Sequence, residues 1–244
     1  MPIVRGFAVW FAISISAASG ATLVGVNFGA AGSPSPTNWT LMTAPGTVNN
    51  LIDSTGAPTA ISLTVSATPP PPEKFSGTPV PTTIPSDAPT LANLQSNISS
   101  YNGTPPNDLL AQFSGLTPNG AYSVYAIGFR VLGGINQSVT ITGSGAPVAF
   151  SQIGPVFSLF FNGAIGSSSR TLESYAVPIQ ASGSGTISIE FMSGPERYTV
   201  GGVALSATPS IPATPVPNSL VLVLIGLAAA GLFYLARRRT AEQF

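Results

Sequence analysis

The chain has 244 residues, of which 44% are hydrophobic and only 7% charged, with 26 Gly, 24 Pro, no Cys and no His. That composition excludes disulfides, a His-based nucleophilic triad and the usual zinc ligands, leaving carboxylates as the only strong metal-binding side chains. A soluble domain ordinarily charges about a quarter of its residues, so Ser, Thr, Asn and Gly must supply the polar surface here.

The N-terminus "MPIVRGFAVWFAISISAASGA" has a basic head at Arg5, an apolar run over 6–15 and then small residues. That order predicts a secretory signal over 1–21, its apolar run too short to span a bilayer as a helix. Residues 22–207 then read as one domain, about 185 residues being enough for one sizeable core. Its basic residues are Lys74, Arg130, Arg170 and Arg197; its acids are Asp53, Glu73, Asp87, Asp108, Glu173, Glu190 and Glu196. Four against seven leaves a net charge of minus three and no basic patch for phosphates, so nucleic acid is excluded as a partner.

Along the domain, apolar residues alternate with polar ones. "TLVGVNFG" comes first, then "TAISLTVSA", where Ile61, Leu63 and Val65 share a face, followed by "DLLAQFSGL", "AYSVYAIGFRV", "QSVTITG" and "PVAFSQI". "PVFSLFFN", "TLESYAVPI", "GTISIEF" with Ile187, Ile189 and Phe191 on one face, and "VGGVALSA" complete the series. Period two means half-buried strands, and "TPNG", "LGG", "GSG" and "SGSG" supply turn chemistry between them. With no sustained helical stripe in the domain, the expected class is all-β: an antiparallel β-sandwich, jelly-roll-like, of about nine or ten strands. Segment 66–106, with ten prolines, interrupts the rhythm and reads as a long extended excursion, since proline cannot donate to a central ladder.

Leu116, Pro118 and Tyr122 in "FSGLTPNGAYSVYAI" resemble the tyrosine corner of fibronectin type III-like sandwiches, which implies a structural role for Tyr122. The order "VNFG", Trp39, "NNLIDSTGAPTAISLTV", the corner and "YTVGGVALSA" resembles the galactose-binding-like sandwiches of exported bacterial proteins.

Chemistry is sparse. No Gly-rich phosphate loop follows a strand, no cofactor is expected, and the acids form no Asp-x-Asp-x-Asp pattern for calcium, so no metal site is assigned. Catalysis would need a glycosidase-type carboxylate pair, and no acid lies in a recognisable motif, so the protein is read as non-enzymatic. Glycan contact would use an aromatic face with amide neighbours. Asn38-Trp39, with the domain's one Trp, and Tyr101-Asn102 in the long segment are the candidates, Trp39 reading equally as core or surface. Sequons begin at Asn38, Asn97, Asn102 and Asn136 and reflect the Ser, Thr and Asn-rich composition.

After a Pro-rich spacer, 208–219, residues 220–236 form 17 uncharged residues, about 26 Å as a helix and adequate for a thin bilayer. Arg237, Arg238 and Arg239 follow as stop-transfer residues, placing the basic tail 237–244 on the cytoplasmic side. A Pro-containing motif "TPVPNS", a short apolar helix and an Arg cluster at the chain's end resemble the PEP-CTERM sorting signal of Gram-negative and related bacteria. Val216 and Pro217 match the start of its Val-Pro-Glu-Pro motif, with Asn218 and Ser219 in place of Glu and Pro. The resemblance implies an exosortase-type membrane protease as partner, processing during export and an exopolysaccharide setting; an uncleaved single-pass anchor is the alternative. The whole reads as an exported cell-surface or extracellular-matrix protein associated with polysaccharide, with a carbohydrate-binding module and a carboxylate-based glycan hydrolase as alternatives.

Overall fold

The computed structural model describes residues 22–68, 77–78, 84–95, 98–101, 108–128, 136–153, 160–162, 170–193 and 198–207. All belong to the first of the chain's two units, Met1–Thr208. The signal segment 1–21, the spacer with Val216 and Pro217, the apolar run 220–236 and Arg237, Arg238 and Arg239 lie outside the described residues, as does Asn102. Among the described residues no helix is long and apolar enough to cross a membrane.

In chain order the strands are β1 (Leu23–Phe28), β2 (Thr40–Met42), β3 (Gly46–Val48), β4 (Ser62–Thr68), β5 (Gly77–Thr78), β6 (Ile98–Tyr101) and β7 (Asp108–Ser114). They continue with β8 (Ala121–Ile127), β9 (Asn136–Thr142), β10 (Val148–Ile153), β11 (Val177–Gln180), β12 (Ile187–Ser193), β13 (Tyr198–Val200) and β14 (Gly202–Ala207). A one-turn helix, α1 (Ala92–Gln95), follows a 3-10 turn at Pro89–Leu91, and a second 3-10 turn spans Leu172–Tyr175. Five strands form one sheet in the order β11-β8-β14-β1-β2, and six form another in the order β10-β9-β12-β7-β4-β3. The described residues therefore form an all-β sandwich.

Alternation explains the layering. In the six-stranded sheet Leu63 and Val65, Leu109, Ala111 and Phe113, Val139 and Ile141, and Ile187, Ile189 and Phe191 all point inward. Registers Ile187 to Phe113, Ile189 to Ala111 and Phe191 to Leu109 bring them side by side, since a one-residue slip would turn every apolar residue to solvent. Val24, Val26 and Phe28, Tyr122, Val124 and Ala126, and Val203 and Leu205 meet them from the five-stranded sheet.

That second sheet is covered on its outer face too. Tyr125, Ile127 and Ala204 point away from the sandwich and are buried beneath Leu91, Leu94, Phe160 and Tyr175, so β8 and β14 carry near-continuous apolar runs. The described part of 66–106 thus corrects the expectation of a plain surface excursion. It contains β5, β6 and α1, and its Leu91 and Leu94, 2% and 0% exposed, roof the outer face. Leu91 and Leu94, three apart, form one helical step too short to register as a stripe.

One further expectation changes. "TLESYAVPI" is a strand only in its second half, because Leu172–Tyr175 tightens into a 3-10 turn that swings Tyr175 onto Phe160 at 4.6 Å, stacked. Of "PVFSLFFN" only residues 160–162 are among those described, with Phe160 bridging to Ile127; the rest of that expected strand lies outside them. The strand count also rises: eleven in the two principal sheets and three short ones, β13-β6-β5, in a small third sheet. Pieces of two to four residues are too short to display a period.

The tyrosine corner is present. The Tyr122 hydroxyl accepts the Thr117 backbone N–H at 3.0 Å, and the ring, 7% exposed, closes the end of the core. Asn119, at φ 56°, supplies the left-handed residue of the "TPNG" turn that brings Thr117 back toward Tyr122. Tyr122→Phe, which keeps the ring and orphans that N–H, is expected to cost about 1–2 kcal/mol in a urea titration; a loss indistinguishable from zero would mean the bond contributes nothing.

Candidate functional site

Trp39 sits on the outer face of the five-stranded sheet, in the connection that leads from β1 to β2. Its indole lies directly on Gly25, where any Cβ would collide with the ring. The position is set from β1 itself: Asn27, fully buried, donates through Nδ2 to the Pro34 carbonyl at 3.2 Å and to Ser35 Oγ at 2.8 Å. Asn93 Nδ2 then donates to the Ser35 carbonyl at 3.1 Å, tying α1 to the same connection. Between the two readings of Trp39 the geometry favours packing: half-buried, it belongs to the apolar layer over this sheet. Its neighbour Asn38, in the left-handed region at φ 61°, donates to the Ser54 carbonyl at 2.9 Å. Tyr101 ends β6, its backbone paired with Tyr198 in the small sheet.

Sequence reasoning missed a second group on this face. Tyr125, Phe160 and Tyr175 form an aromatic series, edge-on at 6.1 Å and then stacked, and the Arg170 guanidinium lies 5.6 Å from the Tyr175 ring centre. Asp87 Oδ1 accepts the Leu172 N–H at 2.8 Å, and the Arg170 carbonyl accepts the Ser86 N–H at 3.2 Å, so the two covering segments are latched together. Residues more than eighty positions apart make this group, and nothing local in the sequence marks it.

Burial holds the Tyr125 phenol above its ordinary value; the Ser206 hydroxyl bond opposes the shift, and the charges of Glu173 and Asp87 add to it. A phenol whose folded pKa is raised contributes stability that is fully present below the ordinary value of 10.0 and lost as pH rises above it through the folded-state value. The melting temperature is accordingly expected to fall above that pH, and Tyr125→Phe to flatten part of the fall in thermal melts across an alkaline series.

The outer face of the six-stranded sheet is mainly polar, with Leu110 and Met192 among its residues. One register row holds Thr47, Thr64, Gln112, Ser188 and Thr142, with Thr47 and Thr64 hydroxyls 3.0 Å apart and Gln112 Nε2 donating to Ser188 Oγ at 3.1 Å. Asp108, opposite Met192, and Glu190, opposite Leu110, share this face as diagonal neighbours on β7 and β12, a relation that puts residues about 7–8 Å apart. Both are half-buried. That relation sets the spacing of their backbones; it places the two acids on one face of neighbouring strands.

Asp53 is occupied by its own turn, its Oδ1 accepting the Thr55 hydroxyl at 2.6 Å and the Thr55 and Ala57 N–H groups at 2.9 and 3.1 Å. The Thr55 hydroxyl bond is the main reason its carboxyl lies below the usual range. Among the described residues no three carboxylates gather as a metal-binding group.

No protein-family profile matches the sequence, and no curated protein does. Among solved structures the chain is similar to the enzymatically active domain of tailspike protein 4 of bacteriophage CBA120, at 14% identity and a TM-score of 0.27, covering 74% of this chain and 20% of that one. It is also similar to TmCBM61, solved in complex with β-1,4-galactotriose, at 11% identity and a TM-score of 0.24, covering 46% of this chain and 67% of that one. The chain spans a fifth of the tailspike chain that it matches.

Proposed function

We propose that this is an exported bacterial cell-surface or extracellular-matrix protein: a signal peptide, one sandwich domain and a PEP-CTERM-like tail handled by an exosortase-type protease. We read its winding as a jelly roll and its role as non-enzymatic contact with extracellular polysaccharide. The observation that carries the reading is the end of the chain, where Val216-Pro217, 17 uncharged residues and Arg237, Arg238 and Arg239 follow one another in the order of a sorting signal. Mass spectrometry of the mature protein from its host tests it. A C-terminal peptide ending near Val216 or Pro217 is expected; an intact Arg-containing terminus would replace sorting with a permanent anchor.

Polysaccharide contact through Asn38, Trp39, Tyr101 and Asn102 is tested by pull-down on a glycan panel. Wild type is expected to be retained, with retention reduced in Tyr101→Ala; Trp39→Ala is read beside its own thermal melt, because that residue also packs on Gly25. No retention on any glycan would remove the polysaccharide from the proposal.

A second reading, glycan hydrolysis, is favoured by one observation, the diagonal placement of Asp108 and Glu190. Release of reducing ends from the same glycans, abolished in both Asp108→Asn and Glu190→Gln, would displace the non-enzymatic role.

A further inference from the structure

We infer that Gln137 and Gln152 form a buried register lock, a pair of amides that holds the β9–β10 hairpin in one of two alignments open to its sequence. Gln137 Nε2 donates to Gln152 Oε1 at 2.6 Å, and Gln152 Nε2 donates to the Phe160 carbonyl at 3.2 Å, with all three residues buried. The two glutamines are direct register partners and share the inward parity of Val139, Ile141, Val148 and Phe150. A buried amide costs free energy unless its polar atoms are partnered, so an apolar pair would serve packing better. The best-attested use of such a buried polar pair is to fix register.

Local sequence leaves that register open. Thr142 and Val148 are joined by 143–147, "GSGAP", in which Gly143-Ser144 by itself has the chemistry of a two-residue hairpin loop with glycine first. Such a loop would set Thr142 opposite Gly145, Val139 opposite Val148 and Ser138 opposite Ala149. A shift of two residues keeps every side chain on its own face, so Val148 and Phe150 stay inward and apolar burial discriminates little between the alignments. The amides discriminate strongly. In the shifted alignment Gln137 faces Phe150, Gln152 faces Ile135, and Gln152 has moved about 7 Å along the strand from its place beside the Phe160 carbonyl. Both bonds are then lost inside an apolar layer, where lost partners cost most.

The lock reaches past the hairpin. β9 is held on its other side by β12, from Ser188 opposite Thr142 to Ser193 opposite Gln137, so β10 is the strand that the amides place. Phe160 bridges to Ile127 of the five-stranded sheet, Phe161 donates its N–H to the Ala126 carbonyl at 3.1 Å, and the Phe160 ring stacks on Tyr175. One alignment of β10 therefore meets one placement of the aromatic layer across the sandwich.

The absence of cysteine lets disulfides read the alignment directly. In the full-length chain purified in detergent, Thr140→Cys/Ala149→Cys are partners in the observed register. Ser138→Cys/Ala149→Cys are partners only in the shifted one and otherwise lie on a diagonal, roughly 7–8 Å apart and too far to bridge. Under mild oxidation the first pair is expected to close and the second to stay reduced. Adding Gln137→Leu/Gln152→Leu is expected to let the second pair close as well, with far-ultraviolet circular dichroism unchanged. Gln152→Leu alone, which removes the acceptor of Gln137, is expected to show a lower urea midpoint than the double-leucine chain. Should the double-leucine chain fail to fold, Gln152→Met carries the same expectation for the two cysteine pairs. Closure of the second pair with both glutamines in place, closure of the first pair alone in the leucine or methionine variant, or a Gln152→Leu chain at least as stable as the double-leucine chain would each overturn the proposal.

Discussion

Phe191→Ala is expected to lower stability by about 3–5 kcal/mol and the melting temperature by roughly 10 °C or more. The ring is 1% exposed, lies between the two sheets, and meets Phe161 edge-on at 5.4 Å. Truncation removes the transfer energy of the ring and leaves a cavity that two hydrogen-bonded sheets cannot collapse to fill. Thr142→Ala, at an exposed position at the end of β9, serves as control and should change stability by no more than about 0.5 kcal/mol. Equal urea midpoints for the two variants would mean that the inter-sheet layer does not hold this fold together.

Gly25→Ala is expected to destabilise by about 1–3 kcal/mol or more, because its new methyl group would occupy the place of the Trp39 indole. The diagnostic is the coupling. Trp39→Ala alone uncovers Gly25 and loosens the apolar layer; in that background the methyl group has room, so adding Gly25→Ala should cost far less than it does in wild type. Strictly additive losses in the double-mutant cycle would separate the two residues and return Trp39 to the surface reading. The same cycle bears on glycan contact, since a tryptophan fixed by packing on one face has only its other face left for a sugar.

All the strands of the six-stranded sheet except the three-residue β3 were plain in the sequence because one of their faces is solvated. "DLLAQFS" and "ISIEFMS" alternate in burial, although Leu110 and Met192 fall on the outer face, and of the inward residues named from period two Leu63, Val65, Ile187, Ile189 and Phe191 are buried while Ile61 is half-buried against the core. β8 and β14 were found as strands, but not their double burial: a run such as "VYAI" is compatible with either one or two covered faces until its cover is known. The corner at Tyr122 was legible for a related reason, as all its parts lie within seven residues.

Chain-local physics therefore determined the class: charge depletion, period-two alternation, turn residues and the absence of Cys and His lead to an all-β sandwich without disulfides. Tertiary structure alone decided which polar and aromatic residues meet. Trp39 on Gly25, Asp87 on the Leu172 N–H, Tyr125 with Ser206 and the diagonal of Asp108 and Glu190 join residues 14 to 85 positions apart. Such pairings depend on strand order and register, which are set by how two whole sheets bury their apolar faces together; no local pattern in the chain encodes them.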